Sequence, residues 1–240
     1  MRREYKYLID ERLAERVRRA IDGFCVPDAN APDGRYLCDT LYLDTLDLGL
    51  YRATVENERV RYKLRVRSYP QTPRAPVFLE VKRRVDDVIV KSRARVAAEA
   101  WPDLLETGDL ERVAPDQRDD GARFLARYHA RALVPQVLVR YEREPYTSIV
   151  DDYVRVTFDR EIAMQPCPEL TLRADDHWVP IDAGAPSPVV LELKFGSRAP
   201  RWMVHLVRAL ELPRLSFSKY ARAIESMRRP VRRTARGWAP

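Results

Sequence analysis

The chain has 240 residues, 45% of them hydrophobic and 33% charged, with a formal charge of +7. That apolar content excludes general disorder, which needs low hydrophobicity together with high charge. No apolar run approaches the ~18 residues of a membrane span, the N-terminal residues form no signal peptide, and Cys25, Cys38 and Cys167 make no zinc motif, so the expectation is a cytoplasmic protein with reduced thiols.

The predicted elements alternate between two periods. A strand is expected over 3–9, then a helix over 10–24 with Leu13, Val17, Ile21 and Phe24 on one stripe and Asp10 as its N-cap. A strand over 36–43 follows. Residues 59–67 alternate strictly, placing Val60, Tyr62, Leu64 and Val66 on one face and Arg59, Arg61, Lys63, Arg65 and Arg67 on the other. After a proline-containing turn at 71–76, Glu80 and Lys82 share a face in a strand over 77–82, and Lys91, Arg93 and Arg95 share one over 88–96. Helices are expected over 97–106 and 116–132. Strands over 137–143, 154–159 and 189–195 place Arg140 with Glu142, Arg155 with Thr157 and Asp159, and Glu192 with Lys194. Pro166 and Pro168, and later Pro186 and Pro188, mark loops. Two last helices are expected over 200–210 and 218–227, the second capped by Ser216 or Ser218, and residues 229–240 read as a flexible basic tail. The fold class is therefore α+β, with about eight mostly antiparallel strands.

Each strand has one apolar face, which the helices must cover. The charged faces either meet water, as in an antiparallel sheet with one wet side, or line the inside of a barrel, for which eight strands enclose just enough room for side chains and a ligand. Neighbouring cations ~7 Å apart along a strand repel by roughly 2 kcal/mol at an effective dielectric of about 20. In an enclosed space a bound polyanion would offset that. Glu80, Glu142 and Glu192 lie among the cations, as ligands of a divalent ion would, although surface ion pairs explain each one singly. Of the 43 basic residues, six are lysines (Lys6, Lys63, Lys82, Lys91, Lys194 and Lys219), leaving 37 arginines. His129, His177 and His205 lack metal-ligand spacing, and there is no P-loop, nucleophile elbow or dinucleotide fingerprint.

The ordered segments Glu4-Tyr5-Lys6-Tyr7, Leu41-Tyr42-Leu43-Asp44-Thr45, Lys63-Leu64-Arg65-Val66-Arg67 and Phe78-Leu79-Glu80-Val81-Lys82 resemble the VTC domain. This is the catalytic domain of polyphosphate polymerases in the triphosphate tunnel metalloenzyme, or CYTH-like, superfamily. Val139-Arg140-Tyr141-Glu142-Arg143, Arg155-Val156-Thr157-Phe158-Asp159, Leu191-Glu192-Leu193-Lys194-Phe195 and Phe217-Ser218-Lys219-Tyr220 extend the resemblance. It implies an eight-stranded antiparallel β-barrel forming a tunnel over residues 1–228, helices outside, and ATP and polyphosphate bound with Mn2+ or Mg2+. It further implies that Arg65, Arg67, Lys82, Arg140 and Lys219 act in catalysis. Lys6, Lys63, Lys91, Arg93, Arg155, Lys194 and Ser218 would bind phosphate, and Glu192, with Glu4 or Glu80, would hold the metal. Arg2 stands where the broader superfamily often has the first glutamate of Glu-x-Glu-x-Lys, which favours the polymerase branch. The expected activity is transfer of the ATP γ-phosphate to a growing polyphosphate. The alternatives are an inorganic triphosphatase or polyphosphatase and a non-catalytic binding module; no nucleic-acid partner and no membrane segment are expected.

Overall fold

Alternation along the strands builds one large antiparallel sheet, and its apolar faces recruit the helices. In this computed structural model, residues 3–31, 33–71, 75–86, 88–181 and 188–228 are described. Arg2, part of the 71–76 turn, the loop residue Pro186 and the expected tail over 229–240 lie outside the described residues. The elements are β1 (Arg3–Ile9), α1 (Glu11–Ile21), β2 (Cys25–Pro27), β3 (Tyr36–Asp44), α2 (Gly49–Val55), β4 (Val60–Ser68), β5 (Val77–Val85), β6 (Val88–Val96), α3 (Trp101–Thr107), α4 (Arg118–Ala130), β7 (Val134–Ser148), β8 (Arg155–Pro166), β9 (Val179–Pro180), β10 (Val189–Phe195), α5 (Arg201–Ala209) and α6 (Lys219–Arg228).

Eight strands form a continuous path, β1-β10-β8-β7-β3-β4-β5-β6, with β2 added to β7 and β9 to β8. In a flat sheet the six strand intervals from β1 to β5 would span about 29 Å. Instead Lys82 Nζ on β5 lies 2.9 Å from Glu4 Oε1 on β1, so the sheet curls until its two ends face each other. The expected closed barrel is not what forms. Among the described residues no ladder joins β1 to β6. The outer edge of β1 is occupied by the chain leading into α6: Leu215 N donates to Lys6 O at 2.9 Å, and Tyr7 bridges to Arg214. Residues 214 and 215 thus stand where a closing strand would pair with β1.

The convex side carries two apolar clusters. Leu64, Val66, Leu79, Val81 and Ala94 pack under α3 and α4, and Val156, Phe158, Leu191 and Leu193 pack under α1 and α5. α1 begins as its sequence predicts, with Leu13 N donating to Asp10 Oδ1 at 2.7 Å and Ala14, Val17 and Ile21 buried. The third cluster lies on the concave side, where Tyr42, Val137, Val139, Ile162 and Val190 receive Phe217, Tyr220 and Ile224 of the α6 segment. α6 therefore enters the curl from one end. The sequence gives no periodicity for the short α2; Asp44 organises it by accepting from Leu50 N and Tyr51 N, both at 2.8 Å, and from Tyr220 Oη at 2.5 Å. All three cysteines are buried and unpaired by disulfides. No helix among the described residues is long and apolar enough to cross a membrane.

Candidate functional site

Strand parity carries charge into the curl. Lys63 lies opposite Lys82, Arg65 opposite Glu80, and Lys82 opposite Lys91. On the other half Lys6 lies opposite Glu192 and Glu4 opposite Lys194. Their alternating neighbours Leu64, Val66, Leu79, Leu191 and Leu193 all face the convex clusters, which fixes the charged residues to the concave side.

Two ionic centres result. In the first, Glu192 Oε2 lies 2.7 Å from Lys194 Nζ and 3.2 Å from Arg143 Nη2, and its Oε1 lies 3.2 Å from Lys6 Nζ and 3.4 Å from Lys219 Nζ. Asp159 completes this centre by taking a two-pronged bond from Arg143 at 2.6 and 2.7 Å and one from Lys219 at 2.5 Å. Glu4 joins it through Lys6 and holds Lys82 at 2.9 and 3.0 Å. In the second centre fully buried Glu80 is surrounded by Arg65 at 2.6 Å, Lys91 at 2.7 Å, Arg93 at 3.5 Å and Arg67 at 3.8 Å. Tyr42, stacked on Tyr220 at 4.9 Å, lies between the centres and receives Arg65 Nη1 on its hydroxyl at 3.4 Å.

Lys63 stands apart. Its Nζ lies 2.7 Å from Ser218 Oγ, and it has no carboxylate within ion-pair distance among the described residues. Ser218 also caps α6, accepting from Ala221 N at 3.1 Å. Lys63 and Ser218 line, with Glu4, Lys6, Lys82 and Arg214, a cavity of about 360 Å3 at the mouth of the curl. All six lysines of the chain thus face the concave side, in the cavity or in one of the two ionic centres.

Electrostatics follow from burial and from these partners. Burial pushes the carboxyls of Glu4, Glu80 and Glu192 up, but the cations around each reverse this and hold all three below the usual carboxylate range. The leading cations are Lys82 for Glu4, Arg65 for Glu80 and Lys194 for Glu192. Burial, then Lys6, Lys82 and Arg65, pull Lys63 well below its ordinary value. Burial brings Lys91 down to about 7 despite its ion pair with Glu80. Lys6, Lys63, Arg65, Arg67, Lys82, Lys91, Arg93, Arg143, Lys194 and Lys219 are ten basic groups against the four carboxylates Glu4, Glu80, Asp159 and Glu192. The concave face therefore carries an excess of positive charge.

As ligands for a divalent cation, these carboxylates are a poor set in the free protein. Among the described residues no three carboxylate, histidine or cysteine side chains gather as a metal site. Glu80 belongs to a different centre from Glu4 and Glu192, and each of the three is enclosed by cations.

Three residues of the expected set lie elsewhere. Arg140 and Glu142 share a face, as parity predicts, but it is the convex one: Arg140 forms a two-pronged bond to Asp39 at 2.7 Å and its guanidinium lies 4.4 Å from the centre of the Trp178 ring. Arg155 is exposed at the start of β8, and of the 59–67 run Arg59 pairs with Asp86 in solvent at 2.9 Å. Conversely, Arg143 and Asp159 are central to the first centre and were not singled out. Their signals are parity with Tyr141 on β7 and with Thr157 on β8. Arg140→Met is expected to cost about 1–3 kcal/mol, because buried Asp39 loses its partner, and to leave anion affinity unchanged; thermal melts and tripolyphosphate calorimetry check the two halves.

The fold is similar to that of a candidate adenylate cyclase from Bacillus halodurans, at 12% identity over 91% of this chain and 94% of that one, with a TM-score of 0.52. A Pyrococcus horikoshii protein gives 12% identity, coverage of 95% and 100%, and a TM-score of 0.48. A second candidate adenylate cyclase, from Vibrio parahaemolyticus, gives 11% identity, coverage of 92% and 96%, and a TM-score of 0.48. No functionally curated protein matches. The sequence itself matches the VTC domain over residues 1–228, and the chain belongs to the VTC-domain family.

Proposed function

We propose that the curled sheet is a tunnel for a phosphate chain and that the protein is a polyphosphate polymerase, transferring the ATP γ-phosphate to a growing polyphosphate. The observation carrying this reading is the convergence of every lysine of the chain, with Arg65, Arg67, Arg93 and Arg143, on one concave surface. In this reading Lys6, Lys63, Lys82 and Ser218 take the phosphates at the mouth, and Arg65, Lys194 and Lys219 take those deeper in. Arg67, Lys91 and Arg93 continue the path beside Glu80.

Phosphoryl transfer asks a protein mainly to position groups and neutralise charge. An oxygen of the terminal phosphate attacks the γ-phosphorus in line. The new P–O bond forms as the bond to the β–γ bridging oxygen breaks, and that oxygen leaves with the electron pair on ADP. The attacking oxygen is already an anion, so no general base is required. The surrounding ammonium and guanidinium groups hold both chains and stabilise the charge that shifts onto ADP. The Mn2+ or Mg2+ implied by the resemblance finds no ready ligand set among the described residues. Incubation with ATP, with and without Mn2+, tests the reading: long-chain product is expected, whereas free phosphate alone indicates a hydrolase, and neither product indicates a binding module.

The lysines also make binding pH-dependent. A polyanion favours the ammonium form, so lysines pulled down in the free protein take up protons when it binds. Affinity for tripolyphosphate is expected to fall as pH rises above about 7, the value near which Lys91 titrates. Lys63→Arg and Lys91→Arg should each remove part of the proton uptake, measured by calorimetry in buffers of different ionisation heat.

A further inference from the structure

Each carboxylate of the two ionic centres has cations at ion-pair distance before any ligand arrives. Glu192 has two cations on each oxygen, Lys6 and Lys219 on Oε1 and Lys194 and Arg143 on Oε2. Both oxygens of Glu4 face Lys82 Nζ at 2.9 and 3.0 Å. Both oxygens of Asp159 face Arg143, at 2.6 and 2.7 Å. Glu80 has Lys91 on Oε1 and Arg65 on Oε2. A divalent cation approaching any of these oxygens meets an ammonium or guanidinium group at hydrogen-bond distance, and displacing that group strands a buried charge. A phosphate chain changes the situation, because it offers the same cations stronger and more numerous acceptors.

We infer that in the free protein the four carboxylates are counter-ions to the cavity's own cations and not ligands of a resident divalent ion. Such an ion is held at Glu192 only after a phosphate chain has drawn lysines away from it. Lys6 and Lys194 are the groups that move, each being a flexible ammonium beside the phosphate path, while Arg143 stays fixed by its two-pronged bond to Asp159. Phosphate binding therefore precedes, or accompanies, metal binding. This rests on the reading of the cavity as a phosphate-chain site.

The test separates the two claims. Tripolyphosphate binding is measured first by calorimetry in EDTA; no binding there overturns the reading of the cavity and the order with it. Mn2+ is then titrated into the ligand-free protein and followed by the electron paramagnetic resonance of the hexaaqua ion. No saturable loss of signal is expected, against a protein-bound Mn2+ population in the tripolyphosphate complex held at least ~10-fold more tightly, a coupling of ordinary size between two ligands. Stoichiometric Mn2+ uptake by the ligand-free protein, in a preparation that does bind tripolyphosphate in EDTA, overturns the order alone. The Lys6→Met/Lys194→Met variant, checked for folding by circular dichroism, uncovers Glu192 and is expected to gain at least ~10-fold in Mn2+ affinity without phosphate. No gain in the folded variant overturns the counter-ion assignment.

Discussion

Glu80→Ala is expected to destabilise the protein by about 3–5 kcal/mol, the usual consequence of removing one partner from a buried ion cluster. Glu80 is 0% exposed and the sole acidic partner of Lys91 and Arg93 among the described ion pairs; Arg65 and Arg67 also turn to it. Without it four cations face one another with no carboxylate between them. For a chain of this size the loss lowers Tm by roughly 10 °C at about 2–4 °C per kcal/mol. Tripolyphosphate should restore much of it, because a ligand that binds only the native state adds about 2.7 kcal/mol at a hundred times its Kd. Thermal melts with and without tripolyphosphate measure both effects. A melting point unchanged from wild type would show that solvent, not Glu80, balances these cations.

Removing a cation has the opposite signature. Lys219→Ala leaves Asp159 with Arg143, and leaves Glu192 with Lys6, Lys194 and Arg143. Arg65→Ala leaves Glu80 with Lys91, Arg93 and Arg67. No carboxylate is stranded, and the excess of positive charge shrinks, so stability should hold. Affinity for tripolyphosphate should nevertheless fall about 30- to 1000-fold per substitution, the 2–4 kcal/mol range for truncating one partner of a desolvated charge pair, and phosphoryl transfer should fall by orders of magnitude. Calorimetry and the ATP assay read this directly. Near-wild-type values in both variants would contradict the assignment of the concave face.

The pair of expectations also shows what could be read from the chain. Strict alternation placed Lys63, Arg65 and Arg67 on one side of β4 and Leu64 and Val66 on the other, and the helices cover the apolar side. The scarcity of lysine pointed to the same surface, since all six converge there. Parity alone does not say which face of a strand is concave, and that is why Arg140 and Glu142 were grouped with the cavity. On β7 the concave face reads Val137, Val139, Tyr141 and then Arg143, so three buried apolar residues precede the one arginine of that strand that faces inward. Asp159 follows the parity of Arg155 and Thr157, but the residues after it do not. A bulge at Glu161, which adopts φ 48°, shifts the register against β7 between Arg140 and Glu142. It turns Ile162 inward as well, three residues after Asp159, a placement that simple alternation does not foresee. The open seam could not be foreseen either, because it depends on residues 214–217 taking the edge of β1, a long-range pairing with no local signal.

The central claim is that these side chains surround one phosphate chain. Crystals soaked with tripolyphosphate test it most directly. The account predicts ordered phosphates inside the curl, with Lys6, Lys63, Arg65 and Lys219 in contact with their oxygens and Arg140 in contact with none. Phosphates bound only on the convex surface, with the two ionic centres undisturbed, would contradict it.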